Sequence, residues 1–141
     1  MQRHASALWQ GTLKEGKGTV STESGTLKEV AYSFAKRFGN EAGTNPEELI
    51  AAAHAGCFSM AFSGKLTAAG FTPAKISTKA NLTFEQVEGA WTITTSHLDM
   101  TAKVPGIDAA KFEALANDAK ATCPVSRLLN AKITLAAKLE A

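Results

Sequence analysis

Short runs of alternating apolar and polar positions fill the first third of the chain. His4-Ala5-Ser6-Ala7-Leu8-Trp9 roughly alternates, and Thr19-Val20-Ser21-Thr22 and Val30-Ala31-Tyr32-Ser33-Phe34-Ala35 are rich in β-forming residues. Gly16-Lys17-Gly18 suits a tight turn between the first two. The pattern predicts three strands in an antiparallel meander. The period then changes. Asn45 is a good N-cap, Pro46 suits the first helical position, and Glu48 stands three residues after Asn45 as in a capping box. Gly70 is a natural residue to follow the helix, with Pro73 just beyond. A helix between them is about 24 residues, or about 36 Å, long. From Leu49 to Phe62 it is apolar or small nearly all round, which predicts a buried central helix. So long a buried helix in so small a protein points to a partner subunit covering one side.

Ile76, Thr78, Ala80, Leu82 and Phe84 then alternate as a half-buried strand, Gly89 marks a turn, and Trp91 to Ala102 form the return strand. The apolar phase changes there from Trp91/Ile93 to Leu98/Met100, which predicts a bulge. Asp108 can cap a second helix in which Phe112, Leu115, Ala116 and Ala119 share a face, and Cys123-Pro124 breaks it. Val125 to Leu129 suits one further short helix, and Ile133-Leu135 opens a final strand. The order is βββ-α-ββ-α-(α)-β, an α+β chain. No linker, charge block or repeat divides it, so residues 1–141 read as one domain.

Composition narrows the function classes. A chain of 141 residues can bury roughly 70% of its unfolded surface. Fifteen Lys and Arg against thirteen Asp and Glu leave no single-sign field to attract nucleic acid or an anionic membrane. No apolar stretch of signal-peptide length follows Met1, and the run Leu49 to Phe62 is too short and alanine-rich to span a bilayer. The expectation is a small soluble protein of the cytoplasm. Two cysteines make neither a disulfide framework nor a four-thiolate zinc site. Among the three histidines only His54 lies near a cysteine, so no metal is expected. Gly11-Thr12-Leu13-Lys14-Glu15-Gly16-Lys17 imitates the start of a phosphate-binding loop. Gly18 replaces the required hydroxyl and the segment joins two strands, so it reads as a hairpin turn.

The cysteines carry the candidate chemistry. Cys57 lies within the long helix, and from the helix alone it is equally a small buried hydrophobe. Cys123 precedes Pro124 at the start of a short helix, where a thiolate is electrostatically favoured. His54 stands three residues before Cys57 on the same helical face. It is either the base of a Cys/His dyad or a core histidine with a satisfied ring nitrogen.

The segment Gly43-Thr44-Asn45-Pro46-Glu47-Glu48-Leu49-Ile50-Ala51-Ala52-Ala53-His54-Ala55-Gly56-Cys57-Phe58-Ser59-Met60 resembles the signature of the OsmC/Ohr family, the osmotically inducible and organic-hydroperoxide-resistance proteins. The likeness continues in Gly16 to Gly25, in Val104-Pro105-Gly106-Ile107-Asp108 and in Cys123-Pro124-Val125-Ser126, closer to the OsmC branch than to the Ohr branch. The resemblance implies a thiol peroxidase that reduces hydroperoxides, organic ones especially. It also implies an intertwined homodimer, recycling by a dithiol reductant such as a lipoyl or thioredoxin-like protein, and no metal, haem or flavin. Carried over residue by residue, Cys57 matches the peroxidatic cysteine, Cys123 the resolving one and Glu47 the family's glutamate. Arg37 matches the arginine of the OsmC branch. The Ohr branch takes its arginine from the first hairpin, where this chain has only Lys17, and lysine cannot offer a carboxylate a bidentate fork.

Elementary chemistry agrees with those roles. An apolar helix raises the pKa of a thiol, and a fixed guanidinium offsets the rise and polarises the peroxide. A glutamate would hold that guanidinium through a charge-assisted pair. Phe58, Met60 and Phe62 suit the apolar tail of an organic hydroperoxide, and equally suit an ordinary core. Glu47 and Cys57 are ten residues apart, about 15 Å along one helix. Two such helices packed antiparallel about a two-fold axis would bring Glu47 of one subunit towards Cys57 of the other. Two competing readings are a Cys57/His54 hydrolase and a non-catalytic dimer whose Cys57–Cys123 disulfide senses redox state.

Overall fold

Three short strands open the chain in the computed structural model, which describes residues 1–141: β1 (Ala5–Gln10), β2 (Lys17–Thr22) and β3 (Val30–Tyr32). They form the expected antiparallel meander in the order β1-β2-β3. They belong to the first of two compact units, Met1–Leu49 and Ile50–Ala141. No change of composition marks the division, which falls in the first turn of the long helix.

In the first unit the β1–β2 turn occupies the residues before Lys17, closed by the Gly16 N–H donating to Thr12 O at 2.8 Å. Lys17 and Gly18, expected in the turn, are already strand. Gly18 pairs with Trp9 on one side and Tyr32 on the other. A Cβ there would come within 2.6 Å of both rings, so glycine lets the two aromatics meet with centroids 5.3 Å apart. The third strand is shorter than expected. Ser33 Oγ accepts the Lys36 N–H at 3.2 Å and caps α1 (Phe34–Phe38), which takes Phe34 and Ala35 out of the strand. Phe34 and Phe38, four apart, meet with their rings tilted at 37° and centroids 4.8 Å apart. No hydrophobic side chain of this unit is fully buried, and Leu8 and Leu13 are exposed.

The long helix α2 (Pro46–Ala68) has 23 residues. Asn45 Oδ1 accepts the Glu48 N–H at 2.8 Å, as the N-cap pattern predicts. At the other end Gly70 adopts φ +87, the Phe71 N–H donates to Leu66 O, and the Gly70 N–H to Thr67 O, a Schellman closure. Asn45→Ala is expected to lower stability by about 1 kcal/mol, read from urea unfolding midpoints at constant m-value.

In the second unit β4 (Lys75–Val87) and β5 (Ala90–Lys103) form a long antiparallel hairpin through Glu88-Gly89, both at positive φ. The predicted bulge is present. Thr83 pairs with Thr95 but Phe84 with Ile93, which leaves Thr94 as the extra residue and turns Ser96, Leu98, Met100 and Ala102 inward. β6 (Lys132–Glu140) runs parallel to β5, so β5 is central. The crossover is made by α3 (Ala109–Thr122), capped by Asp108, and α4 (Pro124–Leu128). Phe58, Phe62 and Leu66 of α2 pack with Leu98, Met100 and Ala102 of β5 and Phe112, Ala116 and Ala119 of α3. Phe62 meets Phe112 edge-on at 5.4 Å.

Within the chain the burial of α2 is one-sided. His54, Phe58, Phe62 and Leu66 form a buried stripe, while Ala52, Ala53, Gly56, Met60 and Gly64 are exposed. By length and composition α2 also meets the requirement for a membrane span. Its stripe instead serves a core of helix on sheet.

Candidate active site

The local sequence explains how two thiols come together. Pro124 cannot continue α3, because it lacks an N–H and restricts the residue before it. Cys123 therefore leaves the helix at φ −54, ψ 127, donates its N–H to Ala119 O at 2.9 Å, and becomes the residue from which α4 starts afresh. This turn delivers its sulfur to the middle of α2. The Cys123 and Cys57 Sγ atoms are 3.0 Å apart, and both cysteines are free. Cys123 is buried and Cys57 partly exposed, so the two sulfurs differ in access.

The electrostatics of Cys57 are mixed. Burial pushes its thiol above the ordinary range, and the neighbouring Cys123 sulfur pushes the same way. The backbone N–H of Val125, in the first turn of α4, bonds to the sulfur and opposes both. Left to these groups, Cys57 stays mostly protonated near neutrality.

His54 stands one turn before Cys57 and is completely buried. Its Nδ1 lies 2.6 Å from Ser96 Oγ and its Nε2 2.8 Å from Ser126 Oγ. Burial lowers its pKa, which favours the neutral ring. Both ring nitrogens are engaged by hydroxyls, so this is the core-histidine arrangement and not a Cys57/His54 dyad.

Arg37 and Glu47 meet within the first unit. Arg37 Nη2 donates to Glu47 Oε1 at 2.7 Å, and Nε reaches both carboxylate oxygens at 3.2 Å. Arg37 sits in the last turn of α1 and Glu47 in the first turn of α2, and Asn45 Nδ2 fastens the two elements by donating to Lys36 O. The guanidinium also lies 5.2 Å over the Phe38 ring. Beside it is a cavity of about 220 Å³ lined by Trp9, Leu13, Tyr32, Phe34 and Phe38. Lys17 begins β2, opposite Gln10.

The structure thus brings together Cys57 with Cys123, and Arg37 with Glu47. The expected substrate contacts separate. Phe58 and Phe62, expected at the substrate, are 0% exposed and lie in the core of this chain. Both face the sheet because they continue the four-residue stripe from His54. Met60, on the other side of α2, is 79% exposed. Sequence reasoning missed Val125, Ser96, Ser126 and the aromatic wall beside Arg37. Ser126 was within reach, since it closes the Cys-Pro-Val-Ser segment. Ser96 becomes an inward position only through the bulge.

An α+β chain with two free thiols in contact, one accessible and one enclosed, defines a protein of thiol–disulfide chemistry. Residues 39–138 match the family of OsmC-like proteins, and the chain belongs to that family. It is 52% identical over 135 residues to peroxiredoxin OsmC of Escherichia coli (strain K12), covering 96% of this chain and 94% of that one. It is 31% identical over 96 residues to an organic hydroperoxide resistance protein of Xanthomonas axonopodis pv. citri (strain 306), covering 64% and 63%. The fold is shared with an organic hydroperoxide resistance protein from Elizabethkingia anophelis, with TM-score 0.76, 23% identity and 99% of each chain covered. It is also shared with an OsmC-like protein from Vibrio cholerae, with TM-score 0.77, 15% identity and coverage of 97% and 99%.

Proposed function

We propose that this protein is a cysteine-based peroxidase that reduces organic hydroperoxides, and hydrogen peroxide less efficiently, in defence against oxidative and osmotic stress. The observation that carries the reading is the 3.0 Å contact between an accessible Cys57 and an enclosed Cys123. The Cys57 thiolate attacks the O–O bond, the alkoxide leaves and takes up a proton to become the alcohol, and Cys57 becomes a sulfenic acid. The Cys123 thiol attacks that sulfur, and the hydroxyl departs with the Cys123 proton as water. A dithiol reductant, a lipoyl or thioredoxin-like protein, returns two electrons by exchange.

Arg37, held by Glu47, supplies the positive charge that Cys57 lacks among its neighbours. Ten residues of helix, about 15 Å, separate Glu47 from Cys57, so the reading joins the arginine pair of one subunit to the thiol pair of another. A homodimer has two supports. The first unit buries no hydrophobic side chain fully, and α2 exposes a face of small residues on which a Cβ at Gly56 meets nothing within 4 Å. In that assembly residues 1–141 act as one OsmC-like domain. The aromatic cavity beside Arg37 and the exposed Met60 are suited to an apolar hydroperoxide tail. A cycle recharged by a dithiol reductant suits the reducing cytoplasm, the compartment expected for this protein.

The test of function is peroxide consumption by the purified protein with an alkyl hydroperoxide and hydrogen peroxide, each with lipoyl, thioredoxin and glutathione reductants. Turnover with a dithiol and a preference for the alkyl substrate are expected. Oxidation that stops at one equivalent with every reductant would favour the redox sensor. Sedimentation is expected to show a dimer at micromolar concentration and dissociation in Gly56→Arg, and a stable wild-type monomer would remove the composite site.

A further inference from the structure

The buried stripe of α2 runs His54, Phe58, Phe62, Leu66, and only its first member is polar. A position that needed volume alone would take leucine or phenylalanine without desolvating an imidazole and two hydroxyls. The polar group is retained with both ring nitrogens satisfied, to Ser96 on β5 and to Ser126 on α4. What it fastens is a short helix that otherwise packs on the core through the partly buried Val125. α4 has five residues, none fully buried, and Cys123 at its start makes no side-chain capping hydrogen bond. A helix of that length does not persist on its own.

Cys123, at the start of α4, and Ser126 within it both meet α2. Cys123 brings its sulfur to Cys57, and Ser126, three residues on, meets His54. On α2 the two receiving residues, His54 and Cys57, are three apart on one face. We infer that His54 is a positioning residue for the thiol pair: braced by Ser96, it holds Ser126 and so keeps the Cys123 sulfur on Cys57. The inference rests on Cys57 and Cys123 being the working pair of the peroxidase. It assigns His54, Ser96 and Ser126 to the alignment of that pair, without contact with the peroxide.

The experiment uses the full-length protein and no peroxide. Wild type, Ser126→Ala, Ser126→Thr and His54→Phe are equilibrated with reduced and oxidised glutathione, and the effective concentration of the Cys57–Cys123 pair is read by mass spectrometry. In a Cys123→Ser background the thiolate of Cys57 is titrated by its ultraviolet absorbance. Ser126→Ala is expected to lower the effective concentration about tenfold, the worth of one hydrogen bond to a buried partner, and to move the Cys57 midpoint upward. Ser126→Thr keeps the hydroxyl and is expected to restore both. His54→Phe fills the stripe without polar atoms and is expected to match Ser126→Ala while retaining the fold. Values within about twofold of wild type in Ser126→Ala and His54→Phe would reduce His54 to a core residue. Because no hydroperoxide is used, failure of the wild type to consume peroxide would count against the peroxidase reading alone.

Discussion

Cys57→Ser is expected to consume no peroxide above the buffer rate, whereas Cys123→Ser reacts for one turnover and then stalls or spends further peroxide on over-oxidation. The asymmetry follows from access and surroundings. Cys57 is partly exposed and receives the Val125 N–H, while Cys123 is enclosed. Peroxide therefore meets Cys57 first, although both thiols are capable of attack in principle. Without Cys123 the sulfenic acid has no partner at 3.0 Å, so it persists long enough to be trapped by dimedone or passes on to the sulfinic acid. In the wild type the product is an intrachain Cys57–Cys123 disulfide. Intact mass after one equivalent of alkyl hydroperoxide distinguishes these species. First-turnover oxidation of Cys123 in Cys57→Ser at the wild-type rate would reverse the two roles.

Arg37→Ala is expected to slow oxidation of Cys57 on the order of a hundredfold near neutral pH, with the fold intact. Burial and the Cys123 sulfur hold the Cys57 thiol above its ordinary range, so the chain needs a cation to generate thiolate. Arg37 is the candidate because Glu47 fixes its guanidinium through Nε and Nη2. The sign of the pH effect follows. A guanidinium favours the thiolate, so its loss moves the midpoint of the rate profile to higher pH. The deficit is then largest near neutrality and narrows as the pH rises. Arg37→Lys keeps the charge but not the fork, and is expected to fall between the two. Stopped-flow oxidation across a pH series checks both points. Equal rates in wild type and Arg37→Ala would move the cationic role elsewhere, with Lys17 the next candidate.

The elements that local rules govern are legible in the chain. Asn45, Pro46 and Gly70 bound α2 within a residue of where it lies, because caps act through neighbouring backbone groups. The phase change across Ile93 and Leu98 announces the bulge at Thr94, because strand side chains alternate strictly. The break at Cys123-Pro124 is likewise local. Ser33 is where local reading slipped. The β-rich run conceals a cap whose hydroxyl turns Phe34 and Ala35 into helix.

What tertiary structure alone decided is pairing and access. Periodicity shows α2 as apolar nearly all round, and only packing against Leu98, Met100 and Phe112 selects the stripe of Phe58 and Phe62 for the core and leaves Met60 outside. The helix pattern left His54 open between base and core residue. Ser96 and Ser126, 42 and 72 residues further along, settle its hydrogen bonds. Motif likeness nominated Cys57 and Cys123, but their 3.0 Å contact depends on α4 returning across 66 residues of chain. Sequence determines what its near neighbours can enforce, whereas distant contacts depend on how sheet and helices pack together.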